Sequence, residues 1–178
     1  MKKYLGLVCL LFATTLHADT VWDVMKKRED LSLFCLAMHL AKAEGIAQAN
    51  EFTPVYGLYV PVIIFAPNNE AWIKAGFPEE KMKAIAAQEG FIEGGPEEAR
   101  SKTLRTLLKQ HVCFKANEPV NALRPEYERA VGPKLKVVKE KIQAFSTKAN
   151  IVVPDLKGDN GMVHVIDAIL DTEPDEKL

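Results

Sequence analysis

The sequence predicts an α+β fold, short helices packed against a mainly antiparallel sheet, and three observations carry that expectation. Helical periodicity dominates the chain up to Lys109. From His111 onward, short apolar runs bounded by turn residues take over, as strands require. The helical and strand-like stretches are segregated rather than alternating, which argues against a parallel βαβ sheet. With 178 residues, 48% apolar and 26% charged, the chain can bury one core without metals or disulfides. It shows no internal repeat, low-complexity tract or linker, so one domain is expected.

The first eighteen residues stand apart. Lys2 and Lys3 precede an uncharged apolar run from Tyr4 to Leu16, and Ala18 offers a small residue for cleavage. This is the layout of a secretory signal peptide, too short to stay as a membrane-spanning helix. The expected organisation is a signal peptide over 1–18, a domain over 19–174 and a short polar tail over 175–178, with a secreted or periplasmic location. No apolar stretch follows Leu170, so the mature protein is expected to be soluble, without a C-terminal lipid anchor or membrane insertion. Cleavage removes two of 23 basic residues, leaving 21 against 24 acids, a net charge of −3. That balance points to neither nucleic acid nor an anionic membrane surface. Cys35 and Cys113 remain, an even pair for which one disulfide and two buried thiols are both open readings.

Each element has its own signal. Thr20 and Asp23 have capping-box spacing and open a short helix through Lys27. Asp30 is placed to cap a longer helix striped by Leu33, Leu36, Ala37, Leu40 and Ala41, with Gly45 ending it. Residues 46–60 are irregular, with Pro54 and Gly57, and read as a short helix and a loop. Val62 to Phe65 is a continuous run suited to a buried strand that stops at Pro67. Helices are expected over 69–75, ending at Gly76, over 78–88, and over 97–109 after Gly94-Gly95-Pro96. Strands are expected over 111–114, 135–138, 142–145, 149–153 and 162–170, with a hairpin turn near Lys139-Glu140-Lys141. Asn160-Gly161 is a tight-turn dipeptide in which both residues tolerate positive φ. On the last strand Met162, His164 and Ile166 share one face and Val163, Val165 and Asp167 the other.

Three segments resemble the fasciclin domain family. Ile64-Phe65-Ala66-Pro67-Asn68-Asn69-Glu70-Ala71-Trp72 is similar to that family's "FAPTNEAF" box, with Asn68 for threonine and Trp72 for phenylalanine. Asn160-Gly161-Met162-Val163-His164-Val165-Ile166-Asp167-Ala168-Ile169-Leu170 is similar to its "NGVVHVIDGVLLP" box. Leu107-Leu108-Lys109-Gln110-His111-Val112 is similar to its "LLxYHV" segment, with Gln110 where tyrosine is usual. The resemblance spans about Thr20 to Pro174. It implies a fasciclin-like fold, short helices on a mainly antiparallel β-wedge, and non-catalytic adhesion or binding outside the cytoplasm. Its partner would be a protein or glycan of the cell envelope or extracellular matrix.

The residues themselves offer little chemistry. His111, His164 and Asp167 stand in apolar strand contexts, where buried polar groups must bond each other or the backbone. Together with Asn69, a helix-capping candidate beside Asn68, they are assigned structural roles. His39, His111 and His164 form no paired metal motif. Asp155 to Gly161 looks superficially like a calcium loop, but Lys157 stands where an oxygen is needed and no closing glutamate follows. There is no G-x-S-x-G elbow among Ser32, Ser101 and Ser146. His111 and Cys113 would share a strand face, yet no orienting acid accompanies them. No enzyme activity, metal or cofactor is therefore expected. The binding candidates are surfaces. Asp155-Leu156 matches a family Asp-Ile position linked to receptor binding in some animal members. Phe52, Tyr56 and Tyr59 lie in an aromatic-rich segment that would form a patch or pocket wall. If they line a pocket, the alternative function is a soluble carrier of a small apolar ligand.

Overall fold

The two most apolar runs of the sequence pair with each other at the centre of the fold. In the computed structural model, which describes residues 19–48, 61–114 and 116–171, β1 (Val62–Pro67) lies parallel to β7 (Gly161–Ile166). Both are buried at every position, so each has a core on both faces. Every other pairing is antiparallel. β2 (Val112–Phe114) flanks β1. On the other side follow β6 (Lys148–Gly158), β5 (Lys141–Gln143), β4 (Leu135–Val138) and β3 (Glu126–Tyr127). The order is β2-β1-β7-β6-β5-β4-β3. A lone bridge between Cys113 and Arg129 and the Ala130 N–H to Val112 bond (2.9 Å) bring the two ends together, curling the sheet into a wedge.

Among the described residues, six α-helices supply the other layer: α1 (Val21–Lys26), α2 (Ser32–Leu40), α3 (Glu44–Gln48), α4 (Asn69–Lys74), α5 (Glu79–Gln88) and α6 (Lys102–Lys109). They enclose one cluster with Ile64, Ala66, Val163 and Val165, in which Trp72 and Phe34 are the largest buried side chains. The opposite faces of β1 and β7 turn Ile63, Phe65, Met162 and Ile166 into the wedge, with Tyr127, Leu135 and Ile142.

Local capping explains where the helices begin. The Thr20/Asp23 capping box opens α1 as expected. Asp30 does not cap α2; Glu29–Leu31 forms a 3-10 turn and Asp30 instead holds Arg28 (2.9 and 2.8 Å). The cap comes from far along the chain. Asn69 Oδ1 accepts the Leu33 N–H (2.9 Å) while its amide donates to Glu29 O (2.9 Å). Asn68 meanwhile caps α4 through Ala71 N–H (2.9 Å). Gly45 does not end α2 but lies inside α3; Lys42, at φ +47°, makes the left-handed turn. The helix expected over 97–109 is shorter, because Ser101 caps it and Ser101 N–H is tied to Leu40 O (2.9 Å). The turn between β6 and β7 falls on Asp159-Asn160 rather than on Asn160-Gly161: neither Asn160 nor Gly161 adopts positive φ, and Gly161, the first residue of β7, is required for a different reason. A Cβ there would lie 2.1 Å from the Val62 carbonyl oxygen, so only glycine lets β1 and β7 approach.

Candidate functional site

β6 bends at Asp155, and the corner it makes gathers most of the polar candidates. Its register against β7 shifts between Ile151 and Val153 and again between Val153 and Leu156. Pro154 precedes the break, and Asp155 adopts φ +60°. The Asp155 carboxylate accepts the Val120 N–H (2.7 Å), so it anchors the loop over Val120–Ala122. Its own N–H donates to His164 Nδ1 (3.3 Å), and Oδ1 lies 3.7 Å from the same nitrogen. His164 Nε2–H donates to Glu118 O (3.2 Å). A backbone donor on one nitrogen and a carbonyl on the other fix the Nε2–H tautomer. Burial pushes the His164 pKa down, against the opposing pull of the Glu118 carbonyl and Asp155.

His111 is held by the same logic on the other face. Nδ1–H donates to Leu107 O (2.8 Å) and Nε2 accepts Leu170 N–H (2.9 Å), while the ring meets Phe34 edge-on. Full burial pushes its pKa down to about 4, and the nearby Arg129 charge adds to the effect. Both imidazoles are therefore neutral at pH 7 with both nitrogens occupied by backbone, which leaves neither a proton to give nor a lone pair to offer a ligand. Asp167 joins neither of them; its carboxylate accepts Asn150 N–H (2.7 Å) and Asn150 Nδ2–H (2.6 Å).

The nucleophile candidates are similarly engaged. β2 begins at Val112, so strand alternation does not reach His111 and the His111/Cys113 pair is not assembled. Cys35 and Cys113 are free thiols. Burial pushes the Cys113 thiol up to about 12 and the Cys35 thiol up to about 11, far from the thiolate form. Ser101 donates to Glu89 (2.5 Å), Ser32 accepts from Asn69 (3.0 Å), and Ser146 holds Asp171. Among the described residues no group of three His, Cys, Asp or Glu side chains is placed to hold a metal.

What remains is surface. Leu156 pairs with Val163 and packs partly buried against the helix-side cluster, so it faces the core rather than solvent. Beside Asp155, the Val120–Ala122 loop and the β4–β5 hairpin border a groove of about 930 Å³ lined by Val120, Leu123, Pro125, Val137 and Ile151. A second groove of about 840 Å³ lies at the helical end, lined by Trp22, Phe91, Arg105 and His39. There Glu93 and Glu44 hold the two His39 ring nitrogens (2.8 and 2.9 Å) and raise its pKa. Phe52, Tyr56 and Tyr59 lie outside the described residues.

Two residues that matter here were hidden in the sequence. Asn160, only 2% exposed, accepts Val21 N–H (2.7 Å) and donates to Ala47 O (2.6 Å), locking α1 and α3 to the β6–β7 turn. Glu118 supplies the carbonyl that orients His164 and a carboxylate for Arg124 (2.6 Å). An asparagine in Asn-Gly reads as a turn former, and nothing local marks it as buried.

A helical layer on a curled sheet with a parallel central pair, whose buried histidines serve the backbone, defines the protein as a fasciclin-type β-wedge domain. The solved FAS1 domain pair from the insect cell adhesion molecule fasciclin I is similar over 88% of this chain, with a TM-score of 0.60 and 15% identity. The chain spans 52% of that pair, and likeness at this identity speaks to the fold alone. The sequence matches the fasciclin domain family over residues 37–172, and the chain belongs to that family. No curated protein sequence matches it significantly.

Proposed function

We propose that the protein is a non-catalytic binding module that works outside the cytoplasm, in adhesion or cell-envelope association, after cleavage of residues 1–18. The supporting observation is the saturation of its reactive groups: the imidazoles of His111 and His164 hold backbone, and the thiol of Cys113 is buried and protonated. The partner would be a protein or glycan, docked at the groove between the Val120–Ala122 loop and the β4–β5 hairpin. Asp155 acts there as a positioning residue, since its carboxylate fixes the groove wall through Val120. The structurally similar domain pair comes from a cell adhesion molecule, which supports the same class of role.

Affinity capture from the host's envelope extract tests this, with mature protein as bait and Asp155→Ala and Val137→Asp as comparisons. A partner retained by the wild type and lost by both variants is the expected result. Equal capture by all three moves the site away from the groove, and no specific partner overturns the adhesion reading. The N-terminal residue of the protein recovered from the periplasm or medium is expected to be Asp19.

A further inference from the structure

The chain's formal net charge of −1 conceals a local excess of cations. Residues 134–148 carry Lys134, Lys136, Lys139, Lys141 and Lys148 against Glu140 alone. Pairing registers show how the sheet arranges them. Val137, Ile142 and Ala149 stand opposite one another and face the wedge. Alternation therefore turns the neighbouring rows outward. One row is Lys136, Gln143 and Lys148; the next is Val138, Lys141 and Asn150. Lys136, Lys141 and Lys148 are exposed, and among the described residues none of the three holds an ion pair. Two strand spacings separate Lys136 from Lys148, about 10 Å at the backbone, and Lys141 lies about 7 Å along. The acids nearby sit at the rim. Glu126 is opposite Lys136 but shared with Lys134, Glu140 is in the turn, and Asp167 is held by Asn150.

We propose that this outer face of β4, β5 and β6 binds an anionic polysaccharide. The face offers the three kinds of group that such a chain uses. The lysines match its carboxylates or sulfates. Gln143, between two lysines, can both donate to and accept from hydroxyls. Phe145, 48% exposed in the bend that follows β5, offers a ring for the C–H face of a sugar, and Val138, 60% exposed, stands opposite Lys141. An anionic lipid surface would use the lysines but not the amide between them, which is why a sugar chain is favoured. The Val138, Lys141 and Asn150 row also borders the groove beside Asp155, whereas Lys136, Gln143 and Lys148 stand outside its lining, so the inference is carried by that outer row.

The test is binding of the mature protein to immobilised heparin oligosaccharides at several salt concentrations, with phosphatidylglycerol vesicles and duplex DNA as competing polyanions. K136E/K148E is expected to abolish retention at physiological salt. K136Q and K148Q are each expected to weaken binding about two- to fivefold, the size of an exposed charge contact. K74E/K102E, the same charge change on α4 and α6, is expected to bind like wild type. Thermal melting checks that each variant folds, and the two single glutamine variants carry the test if the double reversal does not. Equal weakening by K74E/K102E, or preference for vesicles or DNA over the oligosaccharide, would overturn the proposal.

Discussion

The two faces of the central β1–β7 pair are filled in different ways. On the helix side, the helices bring Trp72, Phe34, Met25, Met38 and Met82 to complete burial, and the polar groups buried there, such as Ser101, His111 and Asn160, cap a helix or tie backbone segments together. On the wedge side the cluster is smaller and polar groups enter it: His164 stacks on Phe65 at 5.6 Å, Tyr127 meets the same ring edge-on, and Arg129 is 8% exposed beside Cys113. One face is built for stability. The other trades some apolar area for hydrogen bonds that hold loops in place, and the groove beside Asp155 borders it.

If that contrast is right, truncation should hurt most on the helix side. Trp72→Ala is expected to lower the unfolding free energy by about 4–5 kcal/mol, because a large ring leaves a cavity between α4 and the sheet. Ile142→Ala in the wedge should cost about 2–3 kcal/mol, since a thinner cluster near solvent relaxes more easily. Urea titration of both variants checks the order, and equal losses would erase the contrast.

Gly161→Ala attacks the seam between the two faces. Its methyl group would meet the Val62 carbonyl at 2.1 Å, so β7 must move away from β1. A loss of about 3 kcal/mol is expected, with faster amide exchange in both strands.

The buried histidines sharpen the comparison through pH. Both imidazoles are depressed below their usual value, so in the unfolded chain they take up protons that the folded chain refuses. Their contribution is complete above about pH 6.5 and is lost as pH falls from there toward about 4, the value for His111. For His111 the total is about 3 kcal/mol over that window. Stability of wild type and His111→Gln at pH 7.5, 6 and 5 is the measurement; the variant should be weaker at pH 7.5 and show a flatter slope.

The smallest effect belongs to the cap that crosses between helices. Asn69→Ala should cost about 1–2 kcal/mol by leaving the first turn of α2 unsatisfied, although Asn69 sits in α4. Asn68→Ala, which uncaps α4 itself, should cost about 1 kcal/mol and leave α2 intact. Helix-specific amide exchange separates the two.

How much of this was legible follows the range of each interaction. The β1 run is apolar at every position, a pattern that a strand buried on both faces needs, and the β7 run is broken only by His164, so both strands were readable. The α1 capping box, the Asn68 cap, and the hairpin turning at Lys139, φ +56°, are local too. Asp30 and Gly45 misled because each has the right chemistry in the right place for a cap. A long-range acceptor, Asn69 Oδ1, and a lysine in the left-handed turn took those roles instead. At the site, Asp155 was visible as an acid, but its hold on Val120 and the inward turn of Leu156 were not. The helix start at Glu97 failed for the same reason, since the Ser101 backbone is claimed by Leu40 on α2.

By itself the sequence determined the α+β class, the family resemblance and the central strands, because hydrophobic periodicity and short-range capping are properties of neighbouring residues. Tertiary structure decided that β1 and β7 run parallel and that a glycine is needed where they touch. It also decided which nitrogen of His111 and of His164 carries the proton, and it turned the lysines of residues 136–148 onto one outer face. Those outcomes depend on atoms brought together from distant parts of the chain, such as Asn160 on Ala47, 113 residues apart, and no local pattern encodes such a meeting.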